Sequence, residues 1–342
     1  MTRWVDPALL CLLALAGAQS VRAQEPSPAA LIERGHWKRA RTLVDEHLRK
    51  YPNDPEYLFF QSQIRNAFGD HSTPLPLAEK AVSLAPNVAR YHRQLAEVIG
   101  VMAQFANPFR QLLLARRFRK EIDTALALDP RDVQANRDLL EFYLLAPGIA
   151  GGDRQQAADV ARQIAKLDAV EGYLAEARIA GAEKRTADAH ASLRRAVESS
   201  PGNYRARMAL AQFDMQPEHR YPDEAETQAK AALAVDGGRA EAYAILAEVY
   251  AQQGRWSALD ALLSDSAREV PDDPIAWFRA AESIIGSGHN PGKAEQYLRT
   301  YLGQEPEGNE PPASEARREL TRVALLEKGI PGGSPPAEGS VQ

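Results

Sequence analysis

The chain is poor in the residues and motifs on which disulfide bonds, aromatic cores and catalytic sites depend. Of its 342 residues only one, Cys11, is a cysteine, so no intramolecular disulfide can form. Aromatic residues make up 7 % of the chain, and no run of alternating β-branched residues occurs. The core must therefore be built from alanine and leucine, which suits closely packed helices rather than a β-sandwich. This composition predicts an all-α protein.

An excess of positive charge is also missing. The chain has 41 lysines and arginines against 46 acidic residues, a net charge of −5. Nucleic-acid-binding domains are usually basic. The densest basic run is spread over more than one face of a helix and stands beside Glu121 and Asp123; its members are Arg116, Arg117, Arg119 and Lys120. We therefore expect a solvated helix face here and no nucleic-acid partner.

Recognisable catalytic motifs are absent as well. The seven histidines include no HExxH pair and lie far apart in sequence, which gives no support for a metal site. Ser287 lies in Ile-Gly-Ser-Gly-His, which is not a nucleophile-elbow pattern. The carboxylates are scattered, and no pair stands out as acid and base. We expect no enzyme activity, no metal and no cofactor.

What the sequence does contain is a repeat. Stretches of similar pattern are closed by eight residues at intervals of 34, 44, 39, 32, 36, 34 and 35: Pro52, Pro86, Pro130, Ala169, Pro201, Gly237, Pro271 and Pro306. A period near 34 with two helical stretches per unit is the signature of stacked helical hairpins. The fold class predicted is an all-α solenoid of antiparallel hairpins, whose stacked faces form one long surface.

The most regular unit carries a family resemblance. In its first helix Tyr243, Leu246, Ala247 and Tyr250 share one face, and Gly254 follows as a turn. Its second helix is marked by Trp256, Leu259, Leu263 and the closing Pro271. These spacings resemble the tetratricopeptide repeat, and the resemblance extends from about residue 28 to residue 306. It implies a superhelix with a concave groove that binds a protein or peptide.

The resemblance also indicates which residues line the groove, since the first helix of each hairpin faces inward in this family. The predicted groove residues are Phe59, Gln63, Arg90, Arg93, Glu97, Arg137, Glu141, Arg205, Met208, Glu248 and Phe278. We expect an extended or helical polypeptide anchored by the large apolar members and oriented by the arginines. No adjacent units supply the lysine, asparagine and arginine set that clamps a C-terminal carboxylate in chaperone-binding relatives, so that mode is not expected.

Two units depart from the period. The unit between Pro86 and Pro130 has ten extra residues, which predicts a longer hairpin with its turn near Asn107 and Pro108. An apolar flap would then project from it, made of Phe105, Phe109, Leu112, Leu113 and Leu114. This flap either packs on its neighbours or offers an apolar contact to a partner or to a second copy of the chain.

The second departure is a glycine-rich loop containing Pro147, Gly148, Gly151 and Gly152. With Phe142 and Tyr143 before it, this loop resembles a group of bacterial exported tetratricopeptide proteins with an APGIAGG loop. Glycines ahead of a helix can present N–H groups to an anion, but the Lys-Ser/Thr of a P-loop is missing. Three interpretations of the loop therefore remain. It is a structural loop, or it contacts a partner, or it forms with hairpin 87–130 the site of an envelope enzyme or small-ligand carrier, loop 146–153 being its other half.

The two ends of the chain have their own signatures. Arg3, the apolar stretch of residues 8–18 and a small-residue site at Ala23 predict a cleaved signal peptide over residues 1–23, and hence a periplasmic or secreted protein. Residues 24–328 would form about eight hairpins, the first truncated, closed by a polar-backed capping helix at 312–328. Residues 329–342 are rich in Gly, Pro and Ser and predict a disordered tail. The partner's identity and the oligomeric state stay open.

Overall fold

The computed structural model describes residues 26–217, 219–288, 290–308 and 311–327, all of them helix, turn or loop. The predicted signal peptide and tail lie outside these residues. The helices are α1 Pro28–Glu33, α2 Trp37–Lys50, α3 Pro55–Ala67, α4 Pro74–Leu84, α5 Ala89–Gln104, α6 Pro108–Leu128, α7 Val133–Leu145, α8 Arg154–Leu167, α9 Ala169–Ala182, α10 Thr186–Ser199, α11 Tyr204–Asp214, α12 Pro222–Val235, α13 Ala240–Gln252, α14 Trp256–Glu269, α15 Ile275–Ser287, α16 Pro291–Tyr301 and α17 Ala313–Glu327. The predicted all-α solenoid is confirmed. None of the described helices is long and apolar enough to cross a bilayer.

The helices pair into eight antiparallel hairpins, from α1–α2 to α15–α16, and α17 packs against α16 at the end of the stack. Local sequence sets their limits. The side chains of Asp54, Asp132 and Asn203 each accept a hydrogen bond from a backbone N–H of the helix that follows. Gly254 follows α13 in a left-handed conformation, φ +65°, that a side chain would oppose. Capping and glycine placement thus divide one continuous helical sequence into hairpins.

Small residues allow the helices to approach closely. Ala40, Ala247 and Ala281 are completely buried at helix contacts. From Met208 to Val323 the buried apolar residues form one continuous C-terminal core. Between residues 31 and 210 the core is divided into five smaller clusters. The sequence repeats from about residue 28 to residue 306, but the apolar packing is most continuous from Met208 onward.

The long hairpin has the form that the ten extra residues predict. Helix α5 has 16 residues and α6 has 21, and the side chain of Asn107 caps α6 by accepting a hydrogen bond from the N–H of Arg110. Phe105, Phe109 and Leu113 are exposed, with Phe109 at 75 %. Leu114 instead packs beside the cluster formed by Ala78, Leu95 and Ile99. The flap is therefore half packed and half exposed.

The two ends of the solenoid meet, which the sequence analysis did not predict. We name this contact the closure interface; it joins α1–α2 to loops 236–239, 271–273 and 303–308. In it His36 Nδ1 lies 2.9 Å from Asp272 Oδ2, and the Lys38 N–H donates to Glu307 Oε1 at 2.7 Å. Arg41 forms a bidentate pair with Glu305 at 2.9 and 2.5 Å. The stack is thereby closed into a ring.

The loop that completes the ring depends on one glycine. Gly308 has φ +80°, and a Cβ at this position would lie 3.1 Å from the carbonyl oxygen of Ala67 and 3.8 Å from the Trp37 ring. A side chain here would press the loop away from α2 and α3. Gly308 therefore allows residues 303–308 to lie directly on the first two hairpins.

Candidate functional site

The ring encloses a central cavity of about 960 Å³. It is lined mainly by the first helices of the hairpins, α3, α5, α11, α13 and α15, together with the closure interface. Of the predicted groove residues, Gln63, Glu97 and Glu248 line it. The inward placement of first helices, which the resemblance implied, therefore holds for these three residues.

The charge of the central cavity is predominantly negative. Its lining contains five carboxylates, Glu97, Glu241, Glu248, Asp273 and Glu307, but only two guanidinium groups, Arg34 and Arg279. Arg34 lies 3.2 Å from Asp236, and Arg279 lies 2.7 Å from Glu282, so each already has an acidic partner outside the lining. Of the five carboxylates, Glu97 pairs with Arg93 at 3.6 Å and Glu307 with Lys38 at 3.4 Å. The other three, Glu241, Glu248 and Asp273, have no ion-pair partner among the described residues.

Burial raises the pKa of several of these acids. Burial, only partly offset by Arg279, raises the pKa of Glu248 to about 6. Burial likewise raises the pKa of Asp273 to about 6 and that of Glu307 to about 7. A positive charge placed beside a carboxyl group whose pKa is raised stabilises the charged form of that group. The central cavity is therefore suited to a cationic group.

The middle of the inner surface is different, because its arginines are already paired. Arg93 lies 3.6 Å from both Glu97 and Asp138. Arg137 and Arg205 share Glu171, at 3.8 and 3.1 Å. These pairs line or border a second cavity of about 550 Å³, in which Glu141 also accepts two hydrogen bonds of 2.7 Å from Arg178.

The expectation that the arginines orient a partner needs correction. Only 12 % of the Arg93 side chain is exposed, because it lies between two acidic side chains. Arg90 is exposed but pairs with Glu56 at 2.7 Å and lies over the Phe59 ring, and it lines neither cavity. Reversing these charges would disturb internal ion pairs as well as any partner contact.

The predicted apolar anchors also need correction. Phe59, Met208 and Phe278 are buried, with exposures of 5, 5 and 0 %. The Phe278 ring packs on Tyr301 at 5.2 Å and the Phe59 ring on Tyr91 at 5.4 Å. These side chains point to neighbouring helices instead of the groove, so they belong to the core and cannot contact a partner.

Exposed apolar side chains lie elsewhere, around an apolar cleft of about 500 Å³ between the long hairpin and the glycine-rich loop. Leu145 and Ile149 stand at its edge with exposures of 68 and 84 %. Its lining also includes Leu112, Phe118, Phe142, Ala146 and Pro147. The cleft shares Glu97, Val101 and Gln104 with the central cavity, so the two form one surface. Sequence reasoning missed Leu145 and Ile149, although Leu145 precedes the loop that it singled out and Ile149 lies within it.

The glycine-rich loop itself is built by its own backbone. Gly151 has φ +105°, and a Cβ on Gly152 would lie 1.7 Å from the carbonyl oxygen of Ala146. The N–H groups of Gly151, Gly152 and Asp153 donate to carbonyls of Gly148, Pro147 and Tyr143. With these N–H groups occupied, the loop offers no cradle for an anion. Pro147 and Gly148 form the start of a short 3-10 turn that places Ile149 in solvent.

One cluster of ligand-type side chains is present that the sequence spacing did not indicate. Atoms of His190, Asp214 and Glu224, on α10, α11 and α12, lie within 4.8 Å of one another. Burial and the neighbouring Glu224 raise the pKa of Asp214 to about 7. Sequence reasoning missed the cluster because its members share no local spacing; the hairpin stack alone brings them together.

Comparison with known proteins agrees with this architecture. Residues 218–274 match the family model described as a tetratricopeptide repeat. The structure of yeast Tom70 is similar over 92 % of this chain and 66 % of that chain, with a TM-score of 0.58 and 14 % identity. A tetratricopeptide protein of Thermus thermophilus covers 55 % of this chain and 96 % of its own, with a TM-score of 0.49 and 20 % identity. No curated protein matches the chain. The matched repeat and the shared solenoid fold together support a tetratricopeptide repeat protein.

Proposed function

We propose that this chain is a noncatalytic scaffold, exported to the periplasm or secreted, which binds a segment of another polypeptide on its inner surface. The solenoid fold and the repeat match support an interaction role. The export component of the proposal rests on the N-terminal sequence pattern alone. The observation that carries the binding component is the acidic central cavity, whose size of about 960 Å³ suits several residues of an extended chain.

The chemistry of the cavity favours a basic segment. Glu248, Glu241 and Glu97 face the cavity from α13 and α5, where lysine or arginine side chains of a partner would lie between them. Such a cation would remove the cost of keeping buried carboxylates charged, a cost that raises the pKa of Glu248 and of Glu97 in the free protein. We therefore propose a partner segment that carries two or more basic residues.

The apolar cleft supplies a second point of contact for the same segment. Because Glu97, Val101 and Gln104 belong to both surfaces, a chain leaving the cavity past α5 reaches Leu145 and Ile149 directly. A leucine, methionine or aromatic side chain would remove these exposed apolar groups from water. The partner segment that we propose thus carries basic residues that enter the central cavity and, beside them, one large apolar residue that packs in the apolar cleft.

A displayed library of random peptides, selected on the untagged full chain, tests this proposal. We expect enriched peptides to contain clustered lysine or arginine together with one large apolar residue. A selected peptide should bind Glu248→Gln about 10-fold more weakly, the effect of losing one partly buried charge contact. Glu198→Gln is the matched control, because Glu198 is an exposed glutamate on the outer helix α10 and lines none of the three cavities.

Binding should also weaken as salt is raised, since screening acts on the charge contacts. Acidic or uncharged winners from the library would contradict the proposed partner chemistry. Equal loss of affinity in the Glu248 and Glu198 variants would show that binding follows net charge and does not use the cavity.

Self-association is the second candidate function, and the exposed flap favours it. Phe105 and Phe109 are 73 and 75 % exposed and lie at the turn of the long hairpin, one after the end of α5 and one in the first turn of α6. If two copies meet there, sedimentation equilibrium should show a dimer at micromolar concentration, and Phe109→Ser should return it to a monomer. A wild-type monomer at every concentration removes this candidate. The enzyme or ligand-carrier alternative would place its site in the mainly apolar cleft between the long hairpin and the glycine-rich loop. Of the two charged residues at the loop, Asp153 and Arg154, Asp153 is engaged as the cap of α8.

A further inference from the structure

A buried carboxylate without a hydrogen-bond partner lies where three hairpin helices meet. Asp214, the last residue of α11, has no exposed surface. Neither of its carboxylate oxygens accepts a hydrogen bond from any residue that the structure describes. Burying a carboxylate without a hydrogen bond or a neighbouring cation is costly, and native proteins rarely leave one in that state. This side chain therefore requires an explanation.

Two further ligand atoms point to the same place. His190 Nε2 lies 3.1 Å from Asp214 Oδ1 and 3.7 Å from Glu224 Oε2. Zinc holds nitrogen and oxygen ligands at about 2.0–2.2 Å in a tetrahedron, so neighbouring ligand atoms lie about 3.3 Å apart. The two separations fall on either side of that value. The third pair of ligand atoms, on Asp214 and Glu224, lies within 4.8 Å, so the partly exposed Glu224 would move inward to complete the ligand set.

The surroundings hold the imidazole and the second carboxylate in position. The His190 ring is nearly parallel to the rings of Phe213 and Tyr221, with centroids 5.8 and 5.5 Å away. Arg194 Nε lies 3.7 Å from Glu224 Oε1, the oxygen that does not face His190. Outer contacts of this kind orient ligands in metal sites. The Tyr221 N–H donates to the Asp214 carbonyl and closes the loop beside the cluster.

From this geometry we infer that His190, Asp214 and Glu224 bind a divalent transition-metal ion of the zinc type. One imidazole and two carboxylates balance the charge of a divalent ion, and the nitrogen ligand favours zinc over magnesium or calcium. The ion would place a cation directly beside the buried Asp214 carboxylate. It would also fasten α10 to α11 and α12, joining two neighbouring hairpins. Three protein ligands leave one position of a tetrahedron for water.

Metal titration of the untagged chain tests the inference. After removal of metal with a chelator, calorimetric titration with Zn²⁺ should show one ion bound per chain, and Co²⁺ should give the visible absorption of a tetrahedral site. His190→Ala and Glu224→Gln should each weaken binding at least about 10-fold. Asp214→Asn tests the buried ligand. If that substitution disturbs folding, the other two variants, whose side chains are partly exposed, still decide the question.

The matched control is His47→Ala. His47 also contacts a carboxylate, Asp54, at 2.9 Å, but no third ligand atom joins that pair among the described residues. We expect this variant to bind the ion as tightly as the wild type. Failure of the wild type to bind Zn²⁺ or Co²⁺, or equal loss in the His47 and His190 variants, would overturn the inference.

Discussion

The C-terminal hairpins α11–α16 and the middle hairpins α5–α10 are built from the same repeat but differ in their packing and in their inner charges. In the C-terminal hairpins a single apolar core continues from each hairpin to the next, and the cavity acids Glu241, Glu248 and Asp273 have no ion-pair partner among the described residues. In the middle the core is divided, the inner charges pair with each other, and apolar side chains stand in solvent at the long hairpin and the glycine-rich loop. The regular repeats here contribute a continuous core and the acidic cavity lining, whereas the irregular repeats contribute exposed apolar surface.

The largest effect expected from this contrast is on stability. Phe278 is fully buried in the C-terminal core, and Phe109 stands 75 % exposed on the flap. Phe278→Ala should lower the free energy of unfolding by about 3–5 kcal/mol, since it removes buried contacts and leaves a void. Phe109→Ala should change it by less than about 0.5 kcal/mol. Urea unfolding followed by circular dichroism measures both. Similar losses would show that the flap is as well packed as the core.

A smaller effect is expected in the glycine-rich loop. Gly152→Ala would place a methyl group 1.7 Å from the Ala146 oxygen, so the loop must move, at a cost of about 1–3 kcal/mol. Gly148→Ala is the control, because nothing lies within 4 Å of the Cβ it would add. Thermal unfolding compares the two variants. Equal stability would mean that the loop conformation is not fixed by its glycines.

The closure interface should be weaker at high pH. The hydrogen bond with Asp272 raises the pKa of His36, and burial raises the pKa of Glu307 to about 7. A raised pKa, for a base or an acid, means that the folded protein holds its proton at pH values where the unfolded chain releases it, so stability falls as pH rises through that range.

Between about pH 5 and 8, therefore, the interface should lose stability as both groups deprotonate. Asp273 nearby has a pKa raised to about 6 and acts in the same direction. The lowered pKa of Asp272 matters only below about pH 4, outside this window. His36→Gln should cost on the order of 1 kcal/mol at pH 6 and much less at pH 8, as measured by urea unfolding at the two pH values. A pH-independent loss would show that His36 contributes by packing alone.

The smallest effect concerns the ion pairs of the middle hairpins. The side chains of Arg178 and Glu141 are 38 and 40 % exposed, so Arg178→Gln should change stability by less than about 1 kcal/mol. Freed from its partner, Glu141 should then attract a basic peptide more strongly, and affinity should rise in the same titration that tests the central cavity. A fall in affinity would instead make Arg178 a direct contact of the partner.

Much of the fold was readable from local pattern, and much of the site was not. Turn glycines, closing prolines and apolar spacing specify helices and hairpins, because those elements depend on neighbours in sequence. The inward direction of Gln63, Glu97 and Glu248 followed from the same register. The predicted anchors, such as Phe59 and Phe278, also lie on first helices, but their side chains turn into the neighbouring helix, and the angle at which hairpins pack decides that choice.

Contacts between distant segments of the chain escaped prediction altogether. The pairing of Arg93 with Asp138, the cluster around Asp214 and the closure interface all depend on how twist accumulates along the stack. The spacing of residues within one repeat does not determine the total twist of the stack. Alternation of charge along the first helices is visible in the sequence, but which acids find an arginine and which are left alone is decided by neighbouring hairpins.

The closure interface has a consequence for the way the molecule unfolds. In an open solenoid each hairpin touches only its neighbours, and the terminal hairpins fray first. Here Lys38 and Glu307, separated by 269 residues, hold the two ends against each other. Fraying of the first hairpin must also uncover the last, so both ends should melt together instead of one after the other. Neither end of the ring would unfold before the other, and its opening would be a single cooperative event.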